Sequence, residues 1–91
     1  MLIEEDLIKL LITRTNMENK MSCVEELAEL QIAVTRKERG RDKDTDNLLE
    51  EMADTIIVTH MLRLLYGISE EQLNEEIERK MKRNLDRIQN I

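Results

Sequence analysis

Residues 51–65 read Glu51-Met-Ala-Asp54-Thr-Ile-Ile-Val58-Thr-His60-Met61-Leu-Arg63-Leu-Leu65. In a helix, Val58 and Leu65 repeat the direction of Glu51, and Met61 repeats that of Asp54. Two acids therefore continue the stripe that packs inward. From Met52 to Leu65 only Asp54, His60 and Arg63 carry ionisable groups. That pattern belongs to a central helix covered on several sides, with part of the cover expected from another subunit. Burying a carboxylate without compensation costs several kcal/mol, and a hard divalent cation is the simplest compensation for converging acids.

A second set of acids lies upstream, in Glu25-Glu26-Leu27-Ala28-Glu29. Glu26 and Glu29, like Glu51 and Asp54, stand three residues apart and share a helix side. Two antiparallel helices place Glu26 and Glu29 opposite Glu51 and Asp54. Four carboxylates with no neutral ligand favour Mg²⁺, with Mn²⁺ as the substitute, over zinc or copper. Mg²⁺ retains waters and commonly takes phosphate oxygens as its remaining ligands. A bound water can act as nucleophile while the metal neutralises phosphoryl charge. Lys37 and Arg39 leave the same helix near its end, and Lys80, Arg83 and Arg87 fall on the last helix. Those that reach the acids are candidates for holding phosphate oxygens.

The bulk numbers bound the rest. At 91 residues the chain reads as one domain, 1–91. Hydrophobic residues make up 41% and charged residues 37%, as in a globular chain. Tyr66 is the sole aromatic and proline is absent, which suits long helices. So small a chain buries a modest core by itself, so a homo-oligomer is expected. The net charge of -6 argues against a nucleic-acid binder. It leaves room for a nucleotide, because a cation bridges acidic protein and acidic ligand. Cys23 is the lone cysteine and reads as a small apolar filler. The start, Met-Leu-Ile-Glu-Glu-Asp, lacks the basic beginning of a secretory leader. No stretch approaches the ~18 apolar residues of a membrane span, so a cytoplasmic location without membrane association is the expectation.

The sequence predicts an all-α fold of four helices. The first runs from Leu2 to about Thr15, with Leu2, Ile3, Leu7, Leu10 and Leu11 on one side. The second covers about Glu18 to Arg39, with an apolar arc of Val24, Leu27, Leu30, Gln31 and Val34. Glu26 and Glu29 lie at the border of that arc. Ser22 and Glu25 offer a capping box for a later start. Gly40 ends the helix, and a polar, charged stretch follows. Thr45, Asp46 or Asn47 caps the third helix, Asn47 and Glu50 having capping-box spacing. It runs to about Tyr66 and stops at Gly67. Ser69 with Gln72 caps the fourth, which runs to about Asn90 with Leu73, Ile77, Met81, Leu85 and Ile88 on one face.

Glu25-Glu26-Leu27-Ala28-Glu29 followed by Glu51-Met52-Ala53-Asp54, on consecutive helices, resembles the MazG-like, all-α nucleoside triphosphate pyrophosphohydrolases. Lys37 to Gly40, Leu64-Leu-Tyr-Gly-Ile-Ser69 and Lys80-Met-Lys-Arg-Asn84-Leu-Asp-Arg87 add to the likeness, which covers roughly residues 18 to 88. The small size looks like that of the single-domain members, including those carried by phages. The resemblance implies a helical bundle completed by oligomerisation, as a dimer or tetramer. It also implies Mg²⁺-dependent cleavage of an NTP or dNTP between the α and β phosphates, giving the monophosphate and pyrophosphate. By motif position Glu26, Glu29, Glu51 and Asp54 would hold the metal, Glu26 serving catalysis in that way, and Glu25 would be catalytic either by bracing the metal ligands from behind or as a base that orients the attacking water. Lys80, Asn84 and Arg87 match a basic tail that contacts phosphates in some members.

Plainer readings stand beside these. Glu25, Glu26 and Glu29 alone would pass for a solvated helix face, and the inward position of Glu51 and Asp54 is what favours metal. The acids could instead pair with Arg36, Arg63 or a base from another subunit. His60 reads as a core or interface histidine, because a di-iron bundle needs Glu-x-x-His pairs that this chain lacks. Two alternatives remain: the related phosphoribosyl-ATP pyrophosphohydrolase, ranked second, and a non-catalytic helical oligomerisation module.

Overall fold

The computed structural model describes residues 2–41 and 46–89, and of Asp46 the backbone alone. Among them are four helices and no strand: α1 (Glu4–Leu11), α2 (Asn16–Glu38), α3 (Asp46–Leu65) and α4 (Glu70–Gln89).

The ends follow local chemistry. α1 is shorter than its apolar spacing predicts. Beyond Leu11 the Thr13 hydroxyl donates to the Leu10 carbonyl at 2.7 Å, and Thr15 then begins α2 with a capping box. Thr15 Oγ1 accepts from the Glu18 N–H, and the Glu18 carboxylate accepts from the Thr15 N–H, each at 3.2 Å. The backbone bond pulls the Glu18 carboxyl below its ordinary pKa first, and the hydroxyl bond next. Ser22 and Glu25 lie inside α2 and cap nothing. α3 begins at Asp46, which puts Asn47 inside the helix. Thr45, the other cap candidate, lies outside the described residues.

Gly40 and Gly67 end α2 and α3 with φ of 72° and 68°, a region open to glycine without penalty. Each closes a paired C-terminal motif. The Arg41 N–H reaches the Arg36 carbonyl and the Gly40 N–H reaches that of Lys37. Ile68 to Arg63 and Gly67 to Leu64 repeat the pattern. The Ser69 box is also present: Ser69 N–H donates to Gln72 Oε1 at 2.8 Å, and Gln72 N–H to Ser69 Oγ at 3.0 Å. Ser69→Ala is expected to cost about 1 kcal/mol, measurable as a lower urea midpoint with an unchanged slope.

α2 and α3 form the main pair, and they run antiparallel: Cys23 meets Val58, Glu26 meets Asp54, and Glu29 acts on Glu51. The buried hydrophobics among the described residues are Leu7, Cys23, Ala33 and Val58. This corrects the arc expected for α2. Val24, Gln31 and Val34 are exposed, and Leu27 and Leu30 are half-buried. The covered face runs through Asn19, Cys23, Glu26, Leu30 and Ala33. Small Cys23 and Ala33 let the two helices approach closely, and the spacing of packed helices depends on the side chains at the contact. On α1 only Leu7 of the expected side is buried, with Leu11 half-buried and Leu2, Ile3 and Leu10 exposed.

Buried Arg63 ties α1 to the α3–α4 turn. Its Nη1 donates to the Ile68 carbonyl at 3.1 Å, its Nε to His60 Nδ1 at 3.2 Å, and it pairs with Glu4 at 3.4 Å. Arg63 is therefore committed away from the acids. At the same end of the helix pair, Lys20 near the start of α2 lies 4.4 Å from the Tyr66 ring centroid.

α4 meets α3 through its first turns, where Leu73 and Ile77 border Ile56, Thr59 and His60. Ile77, Met81, Leu85 and Ile88 are exposed, as are Met52 and Ile56 on α3. The radius of gyration is 16.0 Å, against about 12 Å for a compact chain of this length.

Candidate metal centre

The α2–α3 register delivers the acids. Glu26, Glu51 and Asp54 each offer a carboxylate oxygen within 4.8 Å of the other two. All three are half-buried. Glu29 is exposed and acts on both Glu26 and Glu51 from the rim of the group. Glu25 is exposed and lies outside the three-acid group.

The electrostatics are those of crowded like charges. Burial raises the Glu26 carboxyl above its ordinary pKa, followed by the charges of Glu29, Asp54 and Glu51. Glu51 is raised by burial, then by Glu29 and Asp54. Glu26 Oε2 and Glu51 Oε2 are buried without a hydrogen-bond partner. Orphaned buried carboxylate oxygens in an all-oxygen donor set fit a hard divalent cation, which supplies the missing charge and partner at once.

The raised values have a consequence for stability. The native state holds protons on Glu26 and Glu51 that the unfolded chain has already released. Their contribution therefore falls as pH rises through and above the ordinary carboxylate range. Glu18 and Glu76 are shifted the opposite way, so their contribution is lost as pH falls. Glu51→Gln separates the two. Its gain in metal-free stability over the natural chain is expected to grow as pH rises through and above the ordinary carboxylate range, read by thermal unfolding with a chelator present. A gain that shrinks with pH contradicts the arrangement.

Beside the acids is a recess of about 180 Å³. Glu26 and Asp54 form one wall, Leu10, Ile57, Val58 and Met61 make it apolar, and Thr13, Arg14, Asn19 and Ser22 add polar groups. Sequence reasoning missed these last four. Asn19 was the legible one, standing seven residues before Glu26 and hence on its face. It is buried, and its Nδ2 donates to the Leu11 carbonyl at 2.8 Å, holding the α1–α2 turn against the recess.

The basic candidates are dispersed. Lys37 is half-buried. Arg39 lines a separate hollow with Arg36 and Arg41. Lys80, Asn84 and Arg87 are exposed on α4, and Arg83 is half-buried with an unpartnered Nε. None of these residues lines the recess. Cys23 is the filler expected, fully buried with its thiol 3.8 Å from the Val58 carbonyl. Burial first, then Glu26, pushes that thiol's pKa up.

Carboxylates converging between two antiparallel helices form an all-oxygen donor set of the kind that suits a hard divalent cation. By comparison with protein-family models, the chain belongs to the phosphoribosyl-ATP pyrophosphohydrolase family, matched over residues 8–81. It is thus a nucleotide pyrophosphohydrolase, a hydrolase of acid anhydrides within the MazG-like all-α superfamily. No solved structure matches it. Among the described residues no helix is long and apolar enough to cross a membrane.

Proposed function

We propose that the protein is a Mg²⁺-dependent nucleoside triphosphate pyrophosphohydrolase, acting on an NTP or dNTP. Water is added across the α–β anhydride, giving the monophosphate and pyrophosphate. The single observation that carries this reading is the group of Glu26, Glu51 and Asp54 with two buried, unpartnered carboxylate oxygens. Glu29 would complete the ligand set from the rim, and Glu25, next to Glu26 in the chain, would orient the attacking water. Mg²⁺ would supply Lewis acidity and a more acidic bound water. The acids would hold it, and the neighbouring recess would receive part of the nucleotide.

Phosphoribosyl-ATP is the second substrate reading, favoured by the matched family's description. It carries the same triphosphate, and the same bond would be cut. The uncovered apolar faces of α3 and α4 support a homo-oligomer, dimer or tetramer, in which a partner's α4 would bring Lys80, Arg83, Asn84 and Arg87 to the phosphates. The oversized radius of gyration supports it as well.

The test is product analysis over a panel of NTPs, dNTPs and phosphoribosyl-ATP with Mg²⁺, and with Mn²⁺ in parallel. Monophosphate with pyrophosphate is the expected result. Turnover of phosphoribosyl-ATP alone would select the second reading. Diphosphate with phosphate, or no turnover and no thermal response to Mg²⁺, would refute α–β hydrolysis and favour a helical interaction module.

A further inference from the structure

The recess beside Glu26 and Asp54 has a direction. On α2 its wall runs from Glu26 through Ser22 to Asn19, and on α3 from Asp54 through Val58 to Met61. Because the helices are antiparallel, both walls leave the acids the same way, each by seven residues or about 10 Å of helical rise. Ser22 and Val58 stand one turn from the acids. Asn19 and Met61 stand two turns away, with Leu10 of α1 above them.

The far end is held in place. The Asn19 Nδ2 bond to the Leu11 carbonyl, 2.8 Å, fixes the end of α1 against α2. The two long helices already touch at Cys23 and Val58, where the buried thiol lies 3.8 Å from the Val58 carbonyl, so the recess does not pass between them. Its volume is about 180 Å³. Pockets for drug-sized ligands begin at about 300 Å³, and an apolar cavity of about 150 Å³ holds one benzene ring. One six-membered ring with its exocyclic groups therefore fits. A fused second ring has to displace Met61 or Leu10.

The lining also says which part of a nucleotide belongs there. A β-phosphate is joined directly to the reacting anhydride and would lie within the first turn beyond the acids. The residues lining that turn are Ser22, Ile57 and Val58, without a cation. The one cation of the lining, exposed Arg14, belongs to the α1–α2 turn at the far end. An apolar wall with a few polar groups suits a base and its sugar instead.

We propose that the recess is the base subsite and selects a pyrimidine over a purine, with Met61 and Leu10 as the specificity-determining residues. The ring stands between Leu10 and Met61, and the sugar lies nearer the acids beside Ser22. The proposal rests on the α–β cleavage reading and gives it a substrate class. It also disfavours phosphoribosyl-ATP, whose base is a purine.

The experiment measures kcat/KM for pyrimidine and purine nucleoside triphosphates in the natural chain, in Met61→Ala and in Leu10→Ala. Calorimetry with uridine and adenosine monophosphates, each with Mg²⁺, runs alongside. Leu10 is 54% exposed, so its variant serves even where Met61→Ala fails to fold. The natural chain is expected to favour pyrimidines by about tenfold, since small steric differences in a pocket are worth about that much or more. The variants should reduce the ratio at least about threefold by admitting the second ring. Purines cleaved as well as pyrimidines, or a preference that neither variant alters, overturn the subsite. If the natural chain cleaves no triphosphate, the α–β reading fails and calorimetry decides the recess alone. Tighter binding of uridine monophosphate that is lost in Leu10→Ala then upholds it, and equal or absent binding of the two overturns it.

Discussion

Asp54→Asn is expected to lower kcat/KM by at least about a hundredfold, the scale on which one lost charge-stabilising group acts. Glu51→Gln should match it. Both acids sit on the covered face of α3, and each offers an oxygen to the three-carboxylate group. Removing one leaves a hard cation with too few anionic oxygens. The fold itself has no need of these charges. Glu51 is held above its ordinary pKa by burial, Glu29 and Asp54, so its neutral analogue relieves repulsion. The variants should therefore keep or gain metal-free thermal stability while losing the increment that Mg²⁺ gives the natural chain by mass action. Turnover and a Mg²⁺ response that both survive Asp54→Asn would remove these acids from the site.

Arg63→Met is expected to give the largest loss of stability, about 3 kcal/mol. Its side chain is 5% exposed and serves three partners: the Ile68 carbonyl, His60 Nδ1 and Glu4. Methionine keeps much of the apolar stem and abandons all three. The Ile68 carbonyl and His60 Nδ1 then lose the hydrogen bonds they accept. The unfolding midpoint should drop by more than about 10 °C, since 1 kcal/mol shifts a domain of this size by about 4–8 °C. Glu4→Gln isolates the exposed end of the same network and should cost far less. A midpoint for Arg63→Met within a few degrees of the natural chain would show that α1 and the α3–α4 turn hold without it.

Much of the fold was legible because it rests on chemistry within one or two helical turns. Gly40 and Gly67 announce helix ends, and Ser69 with Gln72 announces a start. Thr15-Asn-Met-Glu18 carries the same capping signature, and it divides α1 from α2 where apolar spacing alone ran the first helix on. The packing face of α2 was harder to read. Val24 and Val34 look like core residues on hydropathy, yet small Cys23 and Ala33 set the contact with α3. Uncovered valines on α2 and an uncovered stripe on α4 belong to a chain whose apolar surface exceeds what it can bury by itself.

The sequence by itself determined that the protein is all-helical, and that two pairs of acids recur at helical spacing with one pair on an apolar stripe. These are matters of periodicity and capping, which act along a single helix. Which carboxylates converge was decided by the tertiary structure. The antiparallel register of α2 and α3 brings Glu26, Glu51 and Asp54 together, holds Glu29 at the rim and leaves Glu25 outside. It also strips two carboxylate oxygens of partners and places a largely apolar recess beside Glu26 and Asp54. No local preference encodes that register. It follows from how closely Cys23 and Ala33 allow one helix to approach the other.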